Sequence, residues 1–369
     1  MIRTSFRRAI VPGIAVLALA LTGCGAGNSD GSDGGDSGSS GDSLSGSLAG
    51  GGSSAQDSAQ TAWRAAFQTE NSGVTITYDP VGSGTGRENF ISKAYSFAGS
   101  DSYLNDDEGE LSGAKERCNG EDPIEVPAYV SPIAVAFNLE GVDSLNLDAD
   151  TIAQIFDGKI TTWNDPAIAE LNADADLPDT AITPVHRSDD SGTTKNFTDY
   201  LGKASSSWSY EAEDAFPVKG GEAAEGTSGV ISAVSGGDGT IGYADESQVG
   251  DLSVVSVKVG EEYVAPSAEG AAIVVETSPA AEGRADVDMA VDIDRTSTEA
   301  GAYPVVLLSY LIACQTYEDQ AEADLVKGYL SYIVSDEGQQ AASEEAGSAP
   351  LSSTVAEKAQ SIVDAISAG

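Results

Sequence analysis

The sequence predicts an α/β fold in two domains, because strand and helix patterns alternate along the chain and two long apolar strands enclose a middle block. Residues 129–139 (YVSPIAVAFNL) and 303–313 (YPVVLLSYLIA) are nearly continuous apolar runs. The first run is typical of a buried parallel strand. We place one domain at residues 48–131 plus 304–369 and the other at residues 132–303, so that the chain leaves the first domain and later returns to it.

The chain begins with the pattern of an export signal. Three arginines precede a short apolar run at residues 9–21, which is too short to remain in a bilayer as a spanning helix. The run ends in residues 21–24 (LTGC), which resemble a bacterial lipobox. We therefore predict a signal peptide at residues 1–23 and a lipid on Cys24. The alternative is an ordinary signal with an incidental cysteine.

A flexible tether is expected to follow the lipidated cysteine. Residues 24–47 consist almost wholly of Gly, Ser, Asp, Asn and Ala, which supply too little apolar surface to fold. A Gly/Ser chain of this length has a mean span of roughly 25–30 Å. The body after it contains no further apolar run of membrane-spanning length, so we expect it to lie at the outer face of the cell membrane, held there only by the lipid.

The formal net charge of −41 argues against nucleic acid as a partner and limits how an anion site can be built. A nucleic-acid-binding surface needs a basic face, and this composition does not supply it. Such acidity favours solubility and self-repulsion. Any anion site in this chain therefore has to be built from local dipoles and hydrogen-bond donors, because long-range attraction is absent.

The first half of the body alternates helix and strand signals. Apolar residues recur with helical spacing in residues 56–70, which predicts an amphipathic helix. Residues 74–81 alternate apolar and polar side chains, as a half-buried strand does. A glycine turn at residues 82–86 and a helix carrying Phe90 follow.

The second half continues the same alternation. Asp165 and Pro166 form a typical helix start, because the aspartate caps the first turn and proline needs no N–H donor there. The remaining predicted elements are helix 151–156, strand 181–186, a helix after Ser191, helix 226–234, strand 240–243, and helices 320–334 and 355–368.

Three segments place small hydroxyl and glycine residues directly before a helix. They are residues 50–55 (GGGSSA), 82–86 (GSGTG) and 190–194 (DSGTT). A helix N-terminus offers free N–H groups and the positive end of a dipole, and glycine lets a ligand approach the backbone. Each segment alone is most simply a helix cap. Three of them converging on one point would form an anion site with little formal charge.

Three charged residues accompany these segments. Arg187 follows a strand and can hold an oxyanion with two parallel hydrogen bonds, while Asp189 is near enough in sequence to orient it. Asp101 ends an apolar stretch. A carboxylate suits an anion site only if the anion carries a proton, as phosphate does at neutral pH and sulfate does not. The simpler alternatives are a surface ion pair for Arg187 and a turn residue for Asp101.

Six segments, in the same order and spread over most of the body, resemble the substrate-binding protein of the high-affinity phosphate ABC transporter, in particular phosphate-binding lipoproteins of the actinobacterial type. The resemblance implies a two-domain clamp of the class II periplasmic-binding-protein type that closes over a ligand in the interdomain cleft. The segments are residues 50–56 (GGGSSAQ), 81–93 (VGSGTGRENFISK), 97–101 (FAGSD), 158–172 (GKITTWNDPAIAELN), 186–201 (HRSDDSGTTKNFTDYL) and 239–244 (GTIGYA).

The resemblance also implies a set of phosphate-binding residues, with Asp189 in support of Arg187. Family members often have Thr-Phe where this chain has Ser54-Ala55; the serine hydroxyl and the Ala55 N–H preserve the donors, but the aromatic packing is lost. With both cysteines in the first domain, the implied fold is compatible with a Cys118–Cys314 bond. The implied phosphate ligands are Ser54, Ala55, Ser83, Asp101, Arg187, Ser191, Gly192 and Thr193.

We therefore expect extracytoplasmic binding of inorganic phosphate by a monomer, and its delivery to the permease subunits of an ABC importer. One alternative is a clamp for another oxyanion, such as sulfate, molybdate or a phosphonate. Another is a secreted phosphatase or esterase using Ser191 or Ser83 as nucleophile. His186 is the only histidine and has no evident catalytic partners, so we expect a structural role for it. No metal-binding spacing occurs, and we expect neither metal nor cofactor.

Overall fold

The computed structural model describes residues 44–106 and 109–369. The predicted signal peptide, the lipidated Cys24 and most of the predicted tether lie outside the described residues. The helices have the bounds α1 Asp57–Glu70, α2 Ser83–Ile91, α3 Glu110–Arg117, α4 Ala149–Phe156, α5 Pro166–Leu171, α6 Gly192–Ala204, α7 Gly226–Gly236, α8 Ala268–Thr277, α9 Gln320–Val334, α10 Asp336–Ala346 and α11 Ser353–Asp364.

Strands alternate with these helices along the chain, as the sequence predicts. Their bounds are β1 Ser45–Gly52, β2 Gly73–Asp79, β3 Phe97–Ser100, β4 Ile124–Asn138, β5 Leu145–Leu147, β6 Thr183–Arg187, β7 Glu222–Ala224, β8 Thr240–Asp245, β9 Ser253–Val259, β10 Glu262–Val264, β11 Val306–Ala313, β12 Thr316–Tyr317 and β13 Ser367–Ala368.

The main sheet has the strand order β2-β1-β3-β11-β4-β8-β6-β7. We call the part formed by β1, β2, β3 and β11 the first lobe, and the part formed by β6, β7 and β8 the second lobe. Strand β9 pairs with the end of β4 and carries β5 and β10. Within each lobe the neighbouring strands β2-β1-β3 and β8-β6-β7 are parallel. The mixed α/β architecture of the sequence prediction is thus confirmed.

Strand β4 connects the two lobes. Its first part pairs with β11, up to Pro132 opposite Val306, and its second part pairs with β8, starting with Ile133 opposite Asp245. The change of partner falls beside the boundary that we placed between residues 131 and 132. The division into two domains stays a prediction, because the contacts within residues 44–106 and 109–369 form one compact unit.

The direction of β4 differs from the prediction. Its pairings with β11, β8 and β9 are all antiparallel, so the expectation of a parallel strand is wrong. The apolar run did indicate burial, because every residue from Ile124 to Phe137 is buried. Burial on both faces arises here from helices that cover the centre of a mixed sheet, and hydrophobicity alone does not report strand direction.

Other boundaries also differ from the predictions, and three of these differences change the description of the fold. Strand β1 begins at Ser45, so the body starts before the predicted tether end at residue 47. The glycine turn at residues 82–86 forms the first turn of α2, which starts at Ser83. The last predicted helix, 355–368, is instead α11 followed by the short strand β13. Helix α10 was not predicted.

Helices α5 and α6 begin with capping residues that were evident in the sequence. Asp165 accepts a hydrogen bond of 2.9 Å from the Ala167 N–H, and Pro166 occupies the first turn of α5. Ser191 accepts a 3.2 Å bond from the Thr194 N–H at the start of α6. These side chains replace the backbone acceptors that a first helical turn lacks.

A disulfide connects two distant parts of the chain. Cys118 at the end of α3 and Cys314 after β11 form a disulfide across a sequence separation of 196 residues. Within residues 44–106 and 109–369, no helix has both the length and the apolar composition that a membrane crossing requires.

Candidate functional site

The N-terminal ends of several helices meet where the two lobes face each other. From the first lobe come the start of α2 and the turn before α1; from the second lobe come the starts of α6 and α7. The residues at these ends are almost completely enclosed: Ser54, Ser83, Arg187 and Ser191 each expose 5% of their surface or less. The convergence of helix ends that the sequence suggested is therefore present.

Ser54 contacts the second lobe directly. Its Oγ lies 3.0 Å from the Thr227 hydroxyl and accepts a 3.1 Å hydrogen bond from the Thr227 N–H. The Ser54 carbonyl oxygen accepts a 2.9 Å bond from the side-chain amide of Gln248. The N–H of the neighbouring Ala55 donates to the Ser53 hydroxyl over 3.1 Å. The turn before α1 is thus held by both lobes.

Ser83 and Asp101 lie side by side in the first lobe. The Ser83 Oγ, on the first residue of α2, accepts a 3.1 Å hydrogen bond from the Asp101 N–H at the end of β3. The strand–turn–helix geometry places this hydroxyl beside the Asp101 carboxyl group.

The Asp101 carboxylate is bonded from both lobes. Oδ2 accepts a 2.9 Å hydrogen bond from the Thr193 hydroxyl on α6, and Oδ1 accepts a 2.6 Å bond from the Ser309 hydroxyl on β11. Burial raises the pKa of Asp101, whereas its hydrogen bonds and the positive charge of Arg187 oppose that rise. The site therefore holds a deeply buried carboxyl group next to an arginine.

Arg187, at the end of β6, is oriented by Asp189. The Arg187 Nε donates a 2.8 Å hydrogen bond to Asp189 Oδ1, and Nη2 donates to Oδ2 of the same carboxylate. Asp189 also accepts a 3.0 Å bond from the Gly226 N–H at the start of α7. Burial alone would raise the pKa of Asp189, but the bonds and charge of Arg187 and the Gly226 N–H lower it overall. The two bonds to Asp189 use Nε and Nη2, so Arg187 Nη1 takes no part in them.

Glycines permit the two lobes to touch. The Gly84 N–H donates a 3.1 Å hydrogen bond to the carbonyl of Asp190 across the interface. A Cβ on Gly84 would lie 2.6 Å from the Asp190 Cβ, and one on Gly192 would lie 2.8 Å from the Ser83 Oγ. Real side-chain contacts are not this short, so any larger residue at these positions would push the lobes apart.

The structure brings the predicted residues into one enclosed region. Ser54 is bonded to the start of α7, and the start of α7 is bonded to Asp189, which holds Arg187. Ser83 and Asp101 both contact the start of α6. Their assignment as phosphate ligands stays a prediction. The residues concerned are Ser54, Ala55, Ser83, Asp101, Arg187, Ser191, Gly192 and Thr193.

Sequence reasoning missed two residues of this region. Thr227 is paired with Ser54, and Ser309 is bonded to Asp101. The signal for Thr227 was available, because Gly226-Thr227 repeats the pattern of a glycine and a hydroxyl residue at a helix start. Ser309 gave no signal, because it is one polar residue inside the apolar strand β11.

The histidine and the serines do not form a hydrolytic arrangement. His186 Nδ1 and Nε2 lie 2.9 Å and 3.1 Å from the carbonyl oxygens of Arg187 and Gly220, and its ring stacks on Phe216. Ser191 Oγ caps α6, as described above. Over the described ranges, no group of three or more His, Cys, Asp or Glu residues is placed to hold a metal ion.

Comparison with known proteins agrees with this fold. A family model described as "PBP superfamily domain" matches residues 37–337. The "Phosphate-binding protein PstS2" of Mycobacterium bovis is 34% identical over 361 residues, which cover 96% of this chain and 97% of the relative. The "Phosphate-binding protein PstS 3" of Mycobacterium tuberculosis is 36% identical over 292 residues, 78% of each chain.

Solved structures share the architecture at lower sequence identity. A high-affinity periplasmic phosphate-binding protein, PfluDING, bound with phosphate, superposes with a TM-score of 0.70 at 24% identity, covering 85% of this chain and 93% of that one. The phosphate-binding protein from Stenotrophomonas maltophilia gives a TM-score of 0.64 at 21% identity, covering 86% and 93%. These two likenesses concern the fold. Taken with the family model and the mycobacterial relatives, they mean that this chain belongs to the PBP superfamily and, within it, to the family of phosphate-binding proteins.

Proposed function

We propose that this protein binds inorganic phosphate outside the cytoplasm and delivers it to an ABC importer. The observation that carries the proposal is Asp101, a buried carboxylate at a meeting point of helix N-termini with Arg187 close by. A carboxylate in a site of N–H and hydroxyl donors repels an anion without protons, but it accepts a hydrogen bond from a P–O–H group. Phosphate satisfies this arrangement at neutral pH.

The site replaces the water shell of phosphate with donors from both lobes. The hydroxyls of Ser54, Ser83 and Ser191 each supply one O–H group, and backbone N–H groups at the helix starts add further donors. Thr193 contributes through its backbone N–H, because its hydroxyl donates to Asp101. Arg187 supplies the positive charge, and Asp189 keeps its planar group in one orientation. Because these donors belong to the protein and have fixed directions, they hold an anion without a net positive surface.

Release and transport require the lobes to separate. We propose a hinge motion of the two domains, at residues 48–131 plus 304–369 and at residues 132–303, about the point where β4 changes partner. The closed form would dock as a monomer on the permease subunits. A lipid on Cys24 and a tether would keep it at the outer face of the membrane.

The proposal is tested by titrating the purified chain with phosphate in a calorimeter, with sulfate as competitor. We expect phosphate binding with a dissociation constant of about 1 μM or tighter, which corresponds to about −8 kcal/mol. A large excess of sulfate should not displace the phosphate. Binding of sulfate or molybdate with the same affinity would contradict the assigned role of Asp101.

The hydrolase alternative is tested with a chromogenic phosphate ester. We expect no turnover, because His186 contacts the carbonyl oxygens of Arg187 and Gly220, and the Ser191 and Ser83 hydroxyls accept hydrogen bonds from backbone N–H groups and not from a histidine. Turnover that is lost in Ser191→Ala would replace the proposed function.

A further inference from the structure

Arg87 lies one helical turn after Ser83 and forms an unusual set of bonds. Its side chain is buried, with 3% of it exposed. Nε donates a 2.7 Å hydrogen bond to Glu110, and Nη1 donates to the hydroxyls of Ser100 and Ser102 at 2.8 Å and 3.0 Å. These two serines lie on either side of Asp101. All of these partners belong to the first lobe.

The remaining partner of Arg87 belongs to the second lobe. Nη2 donates to the carboxylate of Asp214, which lies in the loop between α6 and β7. The Ser102 hydroxyl also donates to Asp214, over 3.4 Å. In addition, the Asp214 carbonyl oxygen accepts a 3.0 Å hydrogen bond from the Ser191 N–H at the start of α6. Asp214 therefore connects the Ser191 segment to the helix that begins with Ser83.

We propose that the Arg87–Asp214 ion pair is a latch that holds the two lobes closed over bound phosphate and sets the rate of phosphate release. This inference rests on the proposed function. Both are positioning residues, because the described bonds of their side chains go to protein groups. These groups are Glu110, each other, and the serines that flank Asp101, while the backbone carbonyl of Asp214 bonds Ser191. Opening of the cleft breaks the pair, because its members lie in different lobes.

The environment makes this pair more effective than a surface ion pair. Solvent exposes only 13% of the Asp214 side chain, so salt screens it weakly. Burial alone would lower the pKa of Arg87, but Asp214 and Glu110 raise it overall, so the guanidinium remains charged. Glu110 stays with Arg87 when the cleft opens, so the arginine keeps one buried partner in both states. Among the partners of Arg87, the one lost on opening is therefore Asp214.

The test measures phosphate association and dissociation by stopped flow for the wild type, Asp214→Asn and a matched control, Glu213→Gln. Glu213 is the preceding residue and is exposed, so its variant removes the same charge from the same loop without touching the latch. We expect Asp214→Asn to raise the dissociation rate about tenfold and to change the association rate less than twofold, as loss of a desolvated charge pair does. The control should behave as the wild type.

A second variant separates a latch from a general structural role. Arg87→Lys keeps the positive charge but loses the planar fork that reaches Glu110 and Asp214 together. It should also raise the dissociation rate. The melting temperature of Asp214→Asn should fall for the phosphate-saturated protein and stay unchanged for the phosphate-free protein.

The possible results separate a failure of the latch hypothesis from a failure of the proposed function. If the wild type binds phosphate and Asp214→Asn dissociates at the wild-type rate, the latch is refuted while the function stands. Equal loss of melting temperature with and without phosphate also refutes the latch, because the pair would then stabilise the fold and not the closed state. Absence of phosphate binding in the wild type refutes the proposed function and the latch together.

Discussion

The Thr193 hydroxyl on α6 donates a 2.9 Å hydrogen bond to the carboxylate of Asp101 at the end of β3. This bond crosses from the second lobe to the first and ends on the one acidic group that the proposed mechanism places against the anion. Closing the cleft therefore does two things at once. It brings a donor to Asp101, and it encloses the carboxyl group so that water no longer competes for it.

The first prediction concerns Asp101→Ala. Hydrogen bonds to charged groups contribute about 1.5–3 kcal/mol, so we expect the phosphate dissociation constant to rise roughly 10- to 100-fold. Asp174→Ala is a suitable control, because Asp174 is exposed and carries the same charge. Titration calorimetry of both variants gives the comparison. Wild-type affinity in Asp101→Ala would remove this residue from the site.

The second prediction concerns Thr227, which was not among the predicted site residues. Thr227→Val keeps the side-chain shape but removes the hydroxyl that faces Ser54 Oγ at 3.0 Å. A neutral hydrogen bond contributes about 1 kcal/mol, so phosphate affinity should fall about fivefold. Thr227→Ser retains the hydroxyl and should restore binding. If both variants bind alike, the contact between Thr227 and Ser54 does not matter for closure.

The sequence could predict those features that depend on residues close together in the chain. The starts of α5 and α6 were predictable because capping and hydroxyl residues act within one helical turn, as Asp165 and Ser191 show. Ser309 was not predictable, because only the pairing of β11 beside β3 brings its hydroxyl to Asp101. The antiparallel direction of β4 was hidden for the same reason, since its neighbours come from distant parts of the chain.

Strand β1 shows how tertiary contacts overrule local propensity. Residues 45–52 (SGSLAGGG) have little strand preference, because glycine weakens strands. Their close neighbours explain the glycines: a Cβ on Gly50 would lie 2.3 Å from the Phe97 ring, and one on Gly52 would lie 2.0 Å from the carbonyl oxygen of Gly99. Helix α10 was missed because its sequence, DEGQQAASEEA, carries only a weak apolar stripe.

The third prediction concerns the pH dependence of stability through Asp245, which ends β8 next to the change of partner in β4. Burial raises the pKa of Asp245 to about 7. Its Oδ1 accepts a 3.0 Å hydrogen bond from the Tyr129 hydroxyl, while Oδ2 is buried with no partner in the described part of the protein. The neutral acid therefore suits this position better than the carboxylate does.

The sign of the effect follows from proton binding. An aspartate in the unfolded chain titrates near pH 4, so between about pH 4 and pH 7 the folded protein holds a proton that the unfolded chain has released. The stabilisation by the neutral Asp245 is complete below about pH 4 and is lost as the pH rises through 7, at a slope of at most about 1.4 kcal/mol per pH unit.

Asp245→Asn tests this linkage, because the amide imitates the neutral acid at every pH. We expect the free energy of unfolding of the variant to exceed that of the wild type by up to about 4 kcal/mol at pH 8, with little difference at pH 4. Urea unfolding at both pH values measures it, with the exposed Asp251→Asn as control. A variant that is equally or less stable than the wild type at pH 8 would contradict the assignment.

The fourth prediction concerns the disulfide. The Cys118–Cys314 bond closes a loop of 196 residues in sequence, so its removal should increase the entropy of the unfolded chain considerably. We expect Cys118→Ser/Cys314→Ser to lower the free energy of unfolding by about 2–5 kcal/mol. Phosphate affinity should stay within twofold, since the hydrogen bonds described for Cys118 and Cys314 go to residues outside the proposed anion site. A large loss of affinity without loss of stability would show that the bond positions the site.

A crystal structure of the protein grown with phosphate is the decisive test of anion binding between the lobes. We expect one phosphate there, with oxygen atoms about 2.7–3.2 Å from donors of Ser54, Ser83, Arg187 and Ser191, as hydrogen-bond geometry requires. A protonated phosphate oxygen should contact the Asp101 carboxylate. Phosphate bound at another position, or a cleft that excludes it at saturating concentration, would refute the proposed site.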